Sequence, residues 1–406
     1  MSAPTPQDPL EGTLLDGRYR VETQIATGGM STVYRGTDVR LDRPVAIKVM
    51  DSRYAGDQQF LTRFQLEARA VARLSHPALV AVYDQGPGEV GSGLPFLVME
   101  LVEGGTLREL LRERGPMPPH AVAAVLRPLL AGLAVAHRGG LVHRDVKPEN
   151  VLISDDGDVK LADFGLVRAV AQAGITSTSV ILGTAAYLSP EQVTSGNAGP
   201  RSDVYSLGIL TYELLTGTTP FDGDTSLAVA YQRIDQEVPP PSTVIAGVPT
   251  QFDDLVGHAT ARDPAARYAD ALEMGADLDA ITEELRLPPF RVPAPQNSAQ
   301  HSSAARHRSR VHDQAATEKH RNPTRALTRG PDDWDESPRQ PSAAPEIGDE
   351  YDIPAAQFAG IEIADLQWAR QRSRRLALAW LLVVLITTCG VAAGAWALGS
   401  NLTNLI

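Results

Sequence analysis

The sequence predicts an α+β protein of two lobes, a small one made mostly of strands and a larger one made mostly of helices, followed by a tether and one apolar helix. Three observations predict it. Up to about residue 101 the apolar residues fall in short strand-like runs, "YRVETQI", "PVAIKVM", "LVAVYD" and "PFLVMEL", interrupted by one helical stretch. After "EGG" at 103–105 the period becomes mainly helical, as in "AVAAVLRPLLAGLAVAH" and "SDVYSLGILTYELL". Near the C-terminus the run from Leu376 to Leu398 carries no charge at all.

Taken in order, residues 1–13 are a tail: "MSAPTPQDPLEG" has neither a basic start nor an apolar core, so it does not read as a signal peptide. Residues 14–286 carry unbroken apolar patterning and form the folded domain. Residues 287–368 turn to Pro, Ser, His and charge, a composition that buries too little apolar surface to offset ordering entropy, and are expected to be a disordered linker. Its first half is basic (Arg306, Arg308, Arg310, Lys319) and its second acidic (Asp332, Asp333, Asp335, Glu336). The uncharged stretch 376–398 is long enough to span a bilayer core, since about 20 residues at ~1.5 Å each cross ~30 Å. Arg370, Arg372, Arg374 and Arg375 precede it and no basic residue follows in the tail 399–406. The charge asymmetry places the bulk of the chain in the cytoplasm and the last residues outside the cell membrane, with Trp380 and Trp396 toward the two interfaces.

Bulk properties exclude some classes. The 406 residues carry a formal charge of -12, from 37 basic and 49 acidic residues, which argues against direct nucleic-acid binding. The single cysteine, Cys389, permits no internal disulfide. Of the basic residues only Lys48, Lys147, Lys160 and Lys319 are lysines, and two of these fall inside the motifs that follow.

The most informative run is "HRDVKPEN", residues 143–150, with "DFG" beginning at Asp163, "VAIK" upstream ending at Lys48, and "SPE" downstream ending at Glu191. Four such matches in order make coincidence improbable. Through them residues 14–286 resemble the eukaryotic-like (Hanks-type) protein kinases. "GGM", "HRDVKPENVLI", "GTAAYLSPEQ" and "RSDVYSLGILTYELLTG" are most similar to the bacterial serine/threonine kinases of actinobacteria, of the transmembrane type. The resemblance implies the two-lobed protein kinase fold, with ATP and Mg²⁺ as cofactors and Mn²⁺ as an alternative ion. It also implies protein substrates carrying Ser or Thr.

Phosphoryl transfer passes through a loose transition state, so the protein chiefly positions groups and neutralises charge. By the resemblance, Asp145 accepts the proton of the substrate hydroxyl, and Lys147 sits by the γ-phosphate. Asn150 and Asp163 supply oxygens to the metal, a hard cation. Lys48 grips the α- and β-phosphates. Phe60, Phe64, Val71 and Leu74 form an apolar stripe at helical period with Glu67 on the same stripe. A carboxylate there needs a partner, and Lys48 is the expected one. Met99 resembles the residue that guards the adenine pocket, Ala46 lines that pocket, and Glu100 to Glu103 resemble the hinge.

The phosphate-covering loop Ile25, Ala26, Thr27, Gly28, Gly29, Met30, Ser31, Thr32, Val33 departs from the family pattern G-x-G-x-x-G-x-V. Ala26 and Ser31 stand at the first and third glycine places. These are small substitutes, Gly28 is kept and Gly29 adds freedom, so a working loop is expected. The alternative is a catalytically weak pseudokinase scaffold, and the intact Lys48, Asp145, Asn150 and Asp163 count against it. A ligand receptor is disfavoured by the short outer tail.

Glu191 and Arg267 resemble the family's structural ion pair, and Asp203 the tie between the catalytic loop and a central helix. Arg144 beside Asp145 points to control by phosphorylation in "GITSTSVILGT". The resemblance places the sites at Thr176 and Thr178, with Ser177 and Ser179 as runners-up. Gly390 and Gly394 form a G-x-x-x-G step within the apolar helix, a weak signal for a homodimer.

Overall fold

The computed structural model describes residues 8–86, 93–164, 186–223 and 225–321, together with residues 357–358 and 361–362. The small lobe is a six-stranded antiparallel sheet ordered β1-β2-β3-β4-β6-β5. Its strands are β1 (Leu14–Leu15), β2 (Tyr19–Thr27), β3 (Ser31–Asp38), β4 (Arg43–Met50), β5 (Val82–Gly86) and β6 (Phe96–Met99). The period of two decides what each face carries. Val45, Ile47 and Val49 of β4 join Tyr19, Val21, Tyr34 and Phe96 in one buried cluster. Ala46 and Met50 join the opposite cluster with Leu97 and Met99, against helix α1 (Gln58–Val71).

Helix α1 starts where the Asp57 carboxylate caps the amides of Gln59 and Phe60. Its apolar stripe buries Phe60, Phe64 and Ala68, with the Phe60 ring stacked 4.8 Å from Tyr54 and 5.9 Å from Phe64. The helix expected over 60–74 is therefore observed one turn earlier at its end, closing at Val71.

A second sheet joins the lobes: β7 (Gly104–Thr106), β8 (Val151–Ser154) and β9 (Val159–Leu161), in that order. Its first residue must be glycine. Gly104 has φ +145°, and a Cβ there would lie 2.0 Å from the Ile153 carbonyl oxygen.

The large lobe follows with α2 (Leu107–Arg114), α3 (Pro119–Arg138), α4 (Pro190–Ser195), α5 (Pro200–Thr216), α6 (Ser226–Asp235), α7 (Thr250–Ala259) and α8 (Ala271–Glu284). Leu126, Leu129, Leu130 and Leu133 of α3 pack with Leu207, Leu210, Phe252, Met274 and Leu278 in its core. By length and composition α3 is apolar enough to cross a membrane, but 61% of its most apolar stretch is buried within the protein, as befits a core helix.

The tether expected from residue 287 does not begin there. Val292, Ser298, Gln300 and Ser303 are buried, and helix α9 (Ala299–Arg321) runs beside β2 and β7. Low apolar content suggested disorder, but polar side chains and main-chain amides here find main-chain and carboxylate partners, so hydrogen bonds and ion pairs replace part of the missing apolar burial. The linker's acidic half and the stretch 376–398 lie outside the described residues, apart from two paired strands of two residues each, β10 (Gln357–Phe358) and β11 (Ile361–Glu362).

Candidate active site

The site lies between the two sheets. Strand pairing sets Val33 opposite Lys48, and Ala46 opposite Met99. Ala46 and Met99 belong to the buried cluster with Ala162, against which Met30, Val33 and Leu152 pack. Lys48 stands opposite Leu97 of the same cluster, so its strand carries it alongside these apolar residues. Ala26, Thr27, Gly28 and Gly29 are exposed at the β2–β3 tip, flanked by half-buried Ile25, Met30, Ser31 and Thr32.

This tip is tethered through its main chain. The Gly28 amide donates to the Ser31 carbonyl at 2.8 Å, the Asp51 amide to the Met30 carbonyl at 2.9 Å, and Arg53 to the Gly29 carbonyl at 3.0 Å. Gly28 is outside the left-handed region, and a Cβ on it would make only an ordinary 3.5 Å contact. Ala26 and Ser31, at the first and third glycine places, also lie outside the left-handed region, so the backbone there does not call for glycine.

The catalytic run is held by Asp203 from α5. Its carboxylate accepts from the main-chain N–H of His143 at 2.8 Å and of Arg144 at 2.7 Å, and lies 2.9 Å from His137 Nε2. Arg144 (φ 70°) and Asp163 (φ 67°) both occupy the left-handed region, unusual for residues other than glycine. His143 Nε2 meets the Ala162 carbonyl at 2.8 Å, which ties the loop to the strand end before Asp163.

Asp145 is buried. Its Oδ2 accepts from Lys147 Nζ at 2.8 Å and from Asn150 Nδ2 at 3.0 Å. Its Oδ1 has no hydrogen-bond partner among the described residues. A buried carboxylate oxygen left open is costly unless something binds there, and a substrate hydroxyl is a fitting donor.

Asp163 pairs with Lys48, Oδ1 to Nζ, at 2.8 Å. Burial alone would raise the Asp163 carboxyl, but the Lys48 ammonium outweighs it and holds the group below the usual carboxylate value. Among the described residues the partner found at Lys48 is thus Asp163, where the helix stripe had pointed to Glu67. Left-handed Asp163 brings its carboxylate to Lys48, while Glu67 sits half-buried on α1.

No cluster of three or more His, Cys, Asp or Glu suited to a metal occurs among the described residues. The donors that remain are the Asp163 carboxylate and the amide oxygen of Asn150, whose Nδ2 is committed to Asp145. Two hard oxygens fit a cation that draws its other ligands from phosphates and water.

Glu191 and Arg267 form the expected pair, bidentate at 2.9 Å in both arms, with Ser202 donating to Glu191 at 2.7 Å. Sequence reasoning missed two arrangements. Lys160 Nζ meets Glu100 at 2.6 Å, joining the hinge to β9. Arg108 spans Glu149 at 2.8 Å, Glu213 at 2.6 Å and the Tyr187 hydroxyl at 2.6 Å, beside the catalytic run. The rarity of lysine was a usable signal for the first; nothing local marks the second. Thr176, Thr178, Ser177 and Ser179 lie outside the described residues.

The family model described as protein kinase domain matches residues 19–275. The chain is 68% identical over 402 residues to serine/threonine-protein kinase PknL of Mycobacterium tuberculosis, covering 98% of each. It is 45% identical over 266 residues to serine/threonine-protein kinase PknB of Mycobacterium leprae, covering 65% of this chain and 43% of that one. Among solved structures, the crystal structure of the Mycobacterium tuberculosis PknI kinase domain matches with a TM-score of 0.53 and 27% identity. That match covers 68% of this chain and 99% of the other.

Proposed function

Because the chain belongs to the protein kinase family and is a serine/threonine-protein kinase, we propose that it works from the cell membrane, transferring the γ-phosphate of ATP to Ser or Thr of proteins under the control of activation-loop autophosphorylation. The observation that carries the catalytic assignment is the open Oδ1 of Asp145, held beside Lys147 and Asn150. In this reading Asp145 accepts the hydroxyl proton and aims the attacking oxygen, while Lys147 offsets charge on the transferred group. Lys48 holds the inner phosphates, which requires it to exchange Asp163 for them in part. A divalent cation, Mg²⁺ in the first instance and Mn²⁺ as an alternative, would be held by Asp163 and Asn150 and would offset phosphate charge. The slot of Val33, Ala46 and Met99 receives adenine beneath the loop 25–33.

Anchoring rests on the uncharged stretch 376–398 and the arginines before it. Phosphopeptide mapping of full-length protein, with and without Asp145→Asn, tests the proposal. Phosphate is expected on Thr176 and Thr178 of the native chain only. Equal phosphorylation of a folded Asp145→Asn protein would sink the catalytic assignment.

A further inference from the structure

After the last helix of the large lobe the chain climbs back over the hinge and onto the small lobe. Arg291 donates to the Asp156 carbonyl at 2.7 Å, between β8 and β9. The Gln296 amide donates to Glu113 at 2.8 Å, and the Ala299 amide to Glu109 at 2.8 Å, both on α2. Ser298 donates to the Gly104 carbonyl and packs so closely that a Cβ on Gly105 would lie 2.6 Å from its own Cβ and 2.4 Å from Pro295 Cγ. His301 meets Asp155 at 2.8 Å.

The contacts then pass to the small lobe. The hydroxyls of Ser303 and Thr23 are 2.7 Å apart and both residues are fully buried. Arg306 donates to the Gln24 carbonyl at 2.7 Å, and Arg310 pairs with the nearly buried Glu11 at 2.7 Å. His307 faces Glu22 at 3.4 Å. The receiving face is acidic (Glu11, Glu22, Glu109, Glu113, Asp155), and the arriving segment brings amide donors, arginines and histidines. Thr23 and Gln24 immediately precede the nucleotide-loop residues 25–33 on the same strand, and the register of β2 against β3 shifts there, between Gln24 and Ala26.

We propose that this face is a docking surface for the chain's own residues 291–310, which strap the two lobes together and restrain the strand that leads into the nucleotide loop. The strap fixes where the loop closes, and so strengthens ATP binding more than it changes the transfer step. This rests on the assignment of residues 25–33 to the nucleotide. In the anchored protein proposed above, a segment that leads toward the membrane thereby bears on the site.

The test uses the full-length chain with Cys389→Ser and the pair Thr23→Cys with Ser303→Cys, whose side chains start near bonding distance. Oxidation is expected to close the disulfide in the folded protein and slow amide exchange over residues 20–33. The reduced protein should have a KM for ATP roughly three- to tenfold above the oxidised one, with kcat within about twofold. A second variant, Arg310→Glu in the native background, should raise the KM in the same direction by opposing Glu11. Failure of the cysteines to couple, or exchange and KM that are unchanged by both alterations, overturns the strap. Disulfide closure and exchange need no turnover, so a strap that forms on an inactive protein would fault the nucleotide assignment instead.

Discussion

Arg144 and Asp163 each hold a left-handed backbone that costs about 1 kcal/mol or more, and Asp203 offsets this at Arg144 by accepting the main-chain N–H groups of His143, buried, and Arg144, part-buried. Asp145 and Asp163 follow from two separate turns, which the bond from His143 to the Ala162 carbonyl ties together. Lys48→Met and Asp145→Asn should each lower phosphoryl transfer by several orders of magnitude in protein that still folds. Both side chains are buried and paired, so some loss of thermal midpoint accompanies each change, and the assay is read on protein shown to be folded. Turnover of labelled ATP by either purified, folded variant above about a hundredth of the native rate would contradict the roles given to them.

Among the elements, the junction of α4, α5 and the turn before α8 depends on one ion pair. Arg267 is fully buried, Glu191 is 21% exposed, and the arginine also donates to the carbonyls of Ala261, Arg201 and Arg262. Removing one partner of such a pair leaves the other uncompensated, so Arg267→Ala should destabilise the protein by about 3 kcal/mol. Burial pushes the Glu191 carboxyl up, but Arg267 and Ser202 together hold it below its ordinary value. A depressed carboxylate adds stability above its unfolded-state value and loses it as pH falls through the lower, folded one. Denaturant melts between neutral and acid pH should therefore show a shallower acid loss in Arg267→Ala than in the native protein. Parallel curves would exclude the pair as a source of that loss.

At the scale of the molecule, the kinase body, its strap and the uncharged stretch bear on control. Arginine beside the catalytic aspartate is suited to hold an anion, and phosphate on the 163–191 segment supplies about two negative charges. Replacing Thr176 and Thr178 together by alanine should lower kcat at least tenfold in steady-state assays, and unchanged kinetics would refute activation at these positions. Confinement to a membrane raises the effective concentration of one copy for another. Gly390→Leu with Gly394→Leu should then weaken helix association in a membrane reporter and slow autophosphorylation of the full-length chain. Equal association of altered and native helices would reduce the segment to a plain anchor.

The two lobes, their order and the motif residues were legible in the chain, because alternation, helical period and short-range motifs are local properties that survive without knowledge of the fold. The pairing of Glu191 with Arg267 and the tie through Asp203 followed from the resemblance, and the structure forms both. Tertiary structure alone decided which carboxylate Lys48 holds. The helix stripe pointed to Glu67 and the resemblance put Asp163 at the metal, but a left-handed turn at Asp163 brings its oxygen to 2.8 Å from Lys48. It also decided the fate of residues 287–310, whose composition resembles a tether. Their partners, Thr23, Glu11 and Gly104, stand far back in the chain. Whether a polar segment is ordered depends on whether donors meet acceptors across such distances, and no local count of apolar residues contains that information.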